Sequence, residues 1–358
     1  MKTGRVVLEL PSRRGNPRNS EGAFITLRDG RILFAYSKFT GGPHDYSAGV
    51  IAVRTSDDGG ATWSLRDSVL VKNEGSENVM SVSLLRLQDD RIALFYLVKR
   101  GDCRLRMRTS ADEGRTWSKA VWATPSVGYY VVNNDRIVQL GDGRLIVPAA
   151  FHRRLGTDMS RYSSLDPRGI AVYFLSDDGG RHWREGRSWR AMPAESTRGL
   201  QEPGVIELAD GRLLSWCRTD LGCQYAMVSL DRGESWSLPM PTAFVSPCSP
   251  MSIKRIEATG DLLAVWNDHC GRFPLPPRAG GMGRRRTPLV SAISCDEANT
   301  WRNFKRIEAA PGGFFCYTAI HFPDDKHVLL AYSAGRNNTG FAHSLLRVIR
   351  LPVAWFQS

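Results

Sequence analysis

The sequence predicts an all-β fold: a six-bladed β-propeller of four-stranded antiparallel blades, formed as one domain over residues 1–358. The first observation behind this prediction is a repeated pattern, Ser-x-Asp-x-Gly-x-Thr-Trp, which occurs in complete or degenerate form. Its five copies span residues 56–63, 110–117, 176–183, 229–236 and 294–301. A recurrence at about 40–50 residues or more, with strand-like segments between the copies, is typical of propellers and related arrays.

The second observation is a hairpin turn that runs in phase with the first repeat. Each unit has an apolar run, a short polar turn and a second apolar run, and Asp-Gly between apolar runs is a strong hairpin signal. The six turns span residues 28–31, 88–91, 141–144, 209–212, 258–261 and 323–326. Six hairpins and five Ser/Asp/Trp turns indicate six blades, the last of which lacks the motif. A single blade cannot bury its faces alone, so all six belong to one domain.

The residue types of the Ser/Asp/Trp turn have a physical reason. In the first copy, the carboxylate of Asp58 can accept hydrogen bonds from the backbone amides of the turn, and Gly60 permits a positive φ. Trp63 can pack the hairpin against neighbouring strands. The motif therefore predicts a structural role.

Composition narrows the classes of function. The formal net charge is +12, but the Lys and Arg residues are spread over all units except for the run 284–286. Nucleic-acid binding is therefore not expected, and an acidic substrate fits better. No apolar run of about 18 residues occurs, so a transmembrane helix is not expected either. The early charged residues do not resemble a secretory signal, which slightly favours the cytoplasm.

The cysteines predict neither a disulfide framework nor a zinc site. There are seven of them, an odd number, and none has CxxC spacing. Cys217, Cys295 and Cys316 lie in strand-like runs, so we expect them to be small buried residues.

The Ser/Asp/Trp turns resemble the Asp boxes of sialidases (neuraminidases), and the resemblance extends from about Arg18 to Trp355. Asp boxes also occur in non-enzymes, and in sialidases they lie on the outside of the propeller, away from the active site. The resemblance thus implies a structural role for the boxes, and the prediction of an enzyme depends on other residues.

Three residues match the catalytic set that the resemblance implies. Tyr317, just before the sixth hairpin turn, lies at the place of the family's nucleophile. Glu202, ahead of the first strand of the fourth unit, matches the base that activates this tyrosine. Asp45 lies in a loop flanked by Gly-Gly-Pro before the first box and matches the acid/base, with Asp158 as a distant competitor.

Three arginines match the family's carboxylate-binding triad. Arg18 precedes the first inner strand, although Asn-Ser follows it where the family usually has Ile-Pro. Arg218 ends the strand after the fourth hairpin turn, which folds it back beside the predicted base. Arg286 lies shortly before the fifth box, and Arg285 is the alternative. A guanidinium group is always charged and binds a carboxylate through two hydrogen bonds, so three of them suit an anionic substrate.

Four other polar residues are candidates for substrate binding. Glu21 lies close to Arg18 in sequence and could orient it or contact the substrate. Asn133, Asn134 and Asp135 interrupt an apolar strand in the third unit, so they could face the axis and bind sugar hydroxyls. Ordinary turn polarity explains these three residues about as well.

The combined pattern predicts an exo-acting retaining glycosidase for a terminal acidic sugar, with sialic acid as the first candidate. Sialic acid carries its carboxylate on the anomeric carbon, which would repel a carboxylate nucleophile. A tyrosine hydroxyl stays neutral until a base removes its proton, and sialidases are known to use it. Two displacements would retain the configuration, and the reaction needs neither a metal nor an organic cofactor.

Two alternatives stay open at this point. The first is a glycosidase of the same fold for another acidic sugar, namely Kdn, Kdo or a uronic acid. The second is a non-catalytic sugar-binding propeller. The expected partner is in each case an acidic glycan or glycoside, with no nucleic acid and no membrane, and the sequence does not predict an oligomeric state.

Overall fold

The computed structural model of the chain describes residues 4–156, 164–193, 195–275, 285–336 and 342–358. The strands of the first half are β1 Arg5–Pro11, β2 Arg18–Thr26, β3 Ile32–Phe39, β4 Gly49–Ser56, β5 Ser68–Val71, β6 Asn78–Arg86, β7 Ile92–Lys99, β8 Cys103–Ser110, β9 Val121–Trp122, β10 Tyr129–Val131, β11 Val138–Gln139, β12 Leu145–His152, β13 Ile170–Ser176 and β14 Arg184–Glu185. The later elements are β15 Gln201–Glu207, β16 Leu213–Arg218, β17 Cys223–Ser229, β18 Met240–Val245, β19 Ser252–Arg255, β20 Leu262–Asn267, β21 Leu289–Ser294, β22 Arg302–Glu308, β23 Gly313–Asp324, β24 His327–Arg336, β25 Leu345–Pro352 and the short helix α1 Ala354–Gln357.

The strands form antiparallel blades, which confirms the predicted all-β propeller. Within the described ranges there are four four-stranded sheets and one nine-stranded sheet. The nine-stranded sheet contains two of the predicted units, β6–β9 and β10–β14, joined by a single parallel bridge between Tyr129 and Cys103. With these two units counted separately, the strands group into six blades.

The last blade is completed by the first strand of the chain. Strand β1 pairs with β25, with Glu9 opposite Arg347 and Leu10 opposite Leu346. The sixth blade therefore has the order β1-β25-β24-β23 and takes its outermost strand from the N-terminal segment. The two outer strands of this blade lie at opposite ends of the chain, so no Asp-box turn is needed to connect them. The repeat pattern did not predict this closure.

The core is divided into layers between consecutive blades. One cluster lies between blades one and two and includes Ile25 and Leu94, and equivalent clusters follow around the ring. A further cluster joins blades six and one through contacts among Phe24, Phe34 and Leu329. Because each blade buries both faces against its neighbours, the ring is closed, and the innermost strands meet around one axis.

The Asp boxes have the turn chemistry that the sequence predicts. Asp58 Oδ1 accepts hydrogen bonds from the Thr62 amide at 2.9 Å and from Ser56 Oγ at 2.9 Å, and Asp58 Oδ2 accepts one from Thr62 Oγ1 at 2.6 Å. The amide at the same place donates to the box aspartate in the other four copies. The hydrogen bonds of the boxes are thus made within the turn, which agrees with a structural role.

The cysteines differ in one respect from the expectation. All seven are free thiols, and Cys217 and Cys316 are buried as expected. Cys295 is exposed, because it lies just after β21, inside the fifth box turn rather than in a buried strand. In the part of the chain that the structure describes, no helix has the length and apolar character needed to span a membrane.

Candidate active site

Bulges in the innermost strands position the site. Strands β2, β6, β15 and β23 each shift register near their midpoint. One non-glycine residue in each bulge has a positive φ: Glu21 at 56°, Ser81 at 54°, Glu202 at 48° and Tyr317 at 59°. A bulge changes the direction of a side chain, and a strained backbone of this kind is often found at functional sites. All four of these side chains line one cavity.

Glycines beside two of the bulged residues allow this backbone path. A Cβ atom on Gly204 would lie 2.3 Å from the ring of Trp216, and one on Gly22 would lie 2.4 Å from the ring of Phe34. An aromatic side chain on the second strand therefore packs directly on the backbone of the first. The bulge and the packing are coupled, so a larger residue would displace the neighbouring bulged side chain.

The cavity has a volume of about 190 Å³ and is lined by residues of five blades. The predicted site residues among them are Glu21, Asp45, Asn133, Glu202, Arg218 and Tyr317. A concave site with convergent polar groups is the ordinary form of a ligand site. Residues far apart in sequence are thus brought together at one end of the axis.

Tyr317 and Glu202 lie side by side in this cavity. The Tyr317 hydroxyl donates to Glu202 Oε1 at 3.4 Å, somewhat longer than a strong hydrogen bond. Burial and the nearby Glu202 carboxylate raise the pKa of Tyr317, and Arg286 and Arg218 partly offset this effect. The tyrosine is therefore neutral at rest, and Glu202 is the carboxylate within reach of its proton.

Two of the three predicted arginines flank this pair. Arg218 Nη1 lies 3.2 Å from Glu202 Oε2, and its Nε and Nη2 donate to Gln201 Oε1 at 3.2 and 2.7 Å. The Arg286 guanidinium lies over the Tyr317 ring, 5.3 Å from its centroid. Arg286 Nη1 is buried and has no hydrogen-bond acceptor among the described residues, whereas Arg218 Nη1 is ion-paired with Glu202 but poorly aligned for a hydrogen bond. Buried donors of this kind are suited to an anionic ligand.

Arg286 and its neighbour Arg285 have different surroundings. Arg286 also lies over the ring of Phe314, at 4.8 Å from its centroid, and its carbonyl accepts from the amide of Phe315. Arg285 lies close enough to His269 to contribute to the lowering of that histidine's pKa, in which burial is the largest cause. Arg286 is thus the arginine that contacts the predicted nucleophile.

The third arginine, Arg18, is buried and bound to two carboxylates. Its Nη1 lies 2.5 Å from Asp45 Oδ1, and its Nη2 lies 3.1 Å from Glu21 Oε2. Partial burial opposes ionisation of Asp45, but the charges of Arg18 and Lys99 outweigh it and lower the pKa of Asp45. Burial raises the pKa of Glu21, and the charge of Arg18 partly offsets this effect. Asp45 is therefore an anion at rest, and Glu21 is ion-paired with the other end of the Arg18 guanidinium.

The three polar residues of the third blade have different surroundings. Asn133 lines the cavity, and its Nδ2 lies 3.5 Å from Glu202 Oε2. Asn134 instead donates to two backbone carbonyls, those of Gly22 at 2.7 Å and Tyr317 at 3.3 Å. It therefore links the backbones of blades one and six, and these contacts favour a structural role over sugar binding.

Asp135 lines a different cavity from the one that holds Tyr317. Its carboxylate accepts from the Ile320 amide at 3.0 Å and from Lys254 Nζ at 3.2 Å. The cavity that it lines has a volume of about 480 Å³. The positive φ of 54° at Asp135 turns its side chain toward blades five and six, and these contacts favour a role in joining blades.

Several residues near the site were not predicted from the sequence. Ser81 Oγ lies 3.3 Å from Glu21 Oε1, Gln201 holds Arg218, and the His343 ring stacks on Tyr317 at 5.6 Å between centroids. Asn78 and Lys99 contact the backbone of Asp45. The repeated position of the bulge is the signal that would have found Ser81, since it lies as far before its hairpin turn as Glu21 and Glu202 do before theirs.

Two residues named in the sequence analysis cannot be placed in the site. Asp158, the distant competitor of Asp45, lies outside the described residues, as does Arg284. Among the residues that are described, no group of three or more His, Cys, Asp or Glu side chains is placed to hold a metal ion.

The comparisons with known proteins agree with this architecture. The chain matches the family model described as "BNR repeat-like domain" over residues 30–334. It is 26% identical over 388 residues to a sialidase of Micromonospora viridifaciens, with 97% of this chain and 53% of the relative covered. It is 28% identical over 274 residues to a sialidase of Clostridium perfringens, with 67% of each covered. The chain thus spans about half the length of the first relative.

Solved structures share the fold at lower sequence identity. The NanB sialidase from Streptococcus pneumoniae has a TM-score of 0.71 and 15% identity, with 98% of this chain and 71% of that one covered. A leech intramolecular trans-sialidase has a TM-score of 0.72 and 16% identity, with 100% and 72% covered. The family match covers well over half of the sequence, so the chain belongs to the family of BNR repeat-like domains and is a sialidase-like β-propeller.

Proposed function

We propose that the protein is an exo-acting, retaining glycoside hydrolase that removes a terminal acidic sugar, sialic acid in the first place. The observation that carries the proposal is the 3.4 Å contact between the Tyr317 hydroxyl and Glu202 Oε1, in a cavity that also holds Arg218. A tyrosine nucleophile needs a base within reach, because its ordinary pKa is near 10. A binding module would not need a carboxylate beside a buried tyrosine.

In the first half of the reaction, Glu202 takes the proton of the Tyr317 hydroxyl. The phenolate oxygen forms a bond to the anomeric carbon, and the bond from that carbon to the leaving oxygen breaks. Arg18, Arg218 and Arg286 bind the sugar carboxylate, and the buried Nη1 of Arg286, which has no acceptor among the described residues, supports this role. Because tyrosine carries no charge before attack, it is not repelled by that carboxylate.

Asp45 donates the proton that the leaving oxygen needs. In the second half it takes a proton from the attacking water, whose oxygen bonds to the anomeric carbon while the bond to the Tyr317 oxygen breaks and Tyr317 recovers its proton from Glu202. At rest, however, Asp45 is paired with Arg18, which keeps it ionised. A substrate carboxylate that binds Arg18 displaces Asp45 and places a second negative charge nearby. Both changes raise the pKa of Asp45, so substrate binding itself prepares the acid. With 44% of its side chain exposed, Asp45 can change partner without disturbing the core.

A panel of fluorogenic glycosides tests the proposal. The purified protein is assayed with glycosides of sialic acid, Kdn, Kdo and glucuronic acid, with Tyr317→Phe as the matched control. We expect the parent protein to release the fluorophore fastest from the sialic acid glycoside, with retention of configuration, and Tyr317→Phe to release almost none. Preference for another sugar of the panel would keep the mechanism and change the substrate. Lack of release from all four would contradict the proposed function.

A further inference from the structure

The loop that carries Asp45 is bound by two side chains of the second blade. This loop, residues 40–48, joins β3 to β4. Asn78 Nδ2 donates to the carbonyl of Asp45 at 2.7 Å and to the carbonyl of Ser47 at 2.9 Å. Lys99 Nζ donates to the same Asp45 carbonyl at 3.0 Å. The backbone of the predicted acid/base therefore receives two hydrogen bonds from a neighbouring blade.

The two donors form a matched pair. Asn78 begins β6, Lys99 ends β7, and the two lie directly opposite each other in the sheet. Side chains at such positions point to the same face, so they reach the loop together. Both are buried, and Lys99 also lines the cavity. Buried polar side chains carry a cost unless they are bonded, which makes these contacts with the loop more than incidental.

The orientation of Asn78 is set by the loop. Its amide nitrogen uses both protons on the carbonyls of Asp45 and Ser47, while its Oδ1 is buried and receives no hydrogen bond from a donor among the described residues. The contacts within the loop alone do not fix Asp45, since they join Thr40 and Gly41 to Ala48 and His44 to Ser47. Arg18 binds the Asp45 carboxylate and the carbonyl of Pro43, and the second blade supplies the contacts to the backbone of residue 45 itself.

We infer that Asn78 and Lys99 are positioning residues for Asp45: they hold the backbone of its loop so that its carboxylate stays above the cavity when Arg18 is taken by the substrate. The inference rests on the proposed acid/base role of Asp45. Asp45 has two attachments, one through its carboxylate to Arg18 and one through its carbonyl to the second blade. When the Asp45 carboxylate leaves Arg18 and takes up a proton, the hydrogen bonds to its carbonyl keep it near the leaving oxygen.

The chemical consequence is selective. Protonation matters greatly for a sugar or alkyl leaving group and little for 4-nitrophenolate, which leaves without a proton. A general acid contributes about 10²–10⁴-fold where its proton is needed. Loosening the loop should therefore reduce turnover of a natural glycoside and spare that of an activated aryl glycoside.

Hydrogen–deuterium exchange tests the attachment without reference to activity. In Asn78→Ala, amides of residues 40–48 should exchange at least about tenfold faster than in the parent, since two hydrogen bonds are lost. The matched control is Asn267→Ala. Asn267 is also buried, donates to two carbonyls, those of Pro288 and Phe315, and has a buried unpaired Oδ1. Its substitution should leave exchange in the loop unchanged. Equal exchange in Asn78→Ala and the parent would overturn the inference.

Kinetics test the positioning role. For Asn78→Ala and Lys99→Met, kcat/KM on a glycan substrate should fall by about tenfold or more, with a loss of less than about threefold on the 4-nitrophenyl glycoside. Lys99→Arg, which keeps a donor, should recover most of the loss. Equal losses on both substrates would overturn the positioning role. If the parent protein hydrolyses neither glycoside, the proposed function fails, and the exchange experiment still decides whether the second blade holds the loop.

Discussion

In the proposed mechanism Asp45 and the substrate carboxylate compete for Arg18, so we expect Asp45→Asn to tighten the binding of an acidic sugar that cannot be hydrolysed. Asp45 Oδ1 lies 2.5 Å from Arg18 Nη1, and 44% of the Asp45 side chain is exposed. A hydrogen bond to a charged group contributes about 1.5–3 kcal/mol, and exposure reduces this toward the value of about 1 kcal/mol for surface pairs. A gain of about 1–1.5 kcal/mol corresponds to roughly five- to tenfold tighter binding.

The assay is a calorimetric titration of the parent and Asp45→Asn with a 2,3-didehydro acid-sugar analogue. Asp166→Asn is the matched control, because Asp166 also lines the cavity but its carboxylate is bound to Arg168. Its substitution should change Kd by less than about twofold, well below one hydrogen bond. Asp45→Asn should at the same time lose about 10²–10⁴-fold in turnover of a glycan. Unchanged or weaker binding by Asp45→Asn would refute the competition for Arg18.

Three further predictions concern the carboxylate-binding arginines, the Asp boxes and the bulged inner strands. Arg218→Ala should lose roughly ten- to hundredfold in kcat/KM, and unchanged kinetics would exclude Arg218 from the carboxylate site. Hydrogen bonds from Thr62 lower the pKa of Asp58 to about 2. Since this is below the unfolded value of about 3.9, Asp58 stabilises the fold above that pH and less as the pH falls toward 2. Asp58→Asn should thus lower Tm at neutral pH and converge with the parent near pH 2; a constant difference would contradict this. Gly204→Ala should cost about 1–3 kcal/mol in unfolding free energy by overpacking on Trp216, whereas Gly141→Ala, whose nearest neighbour would lie at 3.7 Å, should cost little.

The repeat carries most of the information about the fold. The box and hairpin residues act within a few positions of each other, so their pattern predicts turns, strands and the number of units from local sequence alone. The closure of the ring by β1 was not predictable in this way. Its pairing with β25 depends on two segments at opposite ends of the chain, and β1 carries no motif of the repeat.

The candidate site was predictable where a residue type has a distinct chemistry. The sequence predicts Glu202 ahead of a strand, Arg218 at the end of the next one and Tyr317 before a hairpin turn, and the closed ring brings all three to one cavity. The direction of a side chain in a bulge cannot be predicted from the sequence, because a shift of one residue moves the side chain to the opposite face of the strand. Asn134 and Asp135 were grouped with Asn133 for this reason, although their side chains bind the backbones of blades six and one and the side chain of Lys254.

The residues that hold the site in place were not predictable from the sequence. Asn78 and Lys99 act on a loop of the preceding blade, and nothing in their local sequence distinguishes them from ordinary strand ends. Their role depends on the angle between two blades, which only the three-dimensional structure gives. The same holds for Ser81, whose partner Glu21 comes from the preceding blade.

The most direct test of the proposed mechanism is to trap its covalent intermediate. The parent protein is treated with a 3-fluoro acid-sugar inactivator, digested, and the labelled peptide is identified by mass spectrometry. The account predicts that the label is on the Tyr317 oxygen, which lies 3.4 Å from Glu202 Oε1, and that Tyr317→Phe is neither labelled nor active. A label on Glu202 or Asp45, or full activity of Tyr317→Phe with retention of configuration, would contradict it.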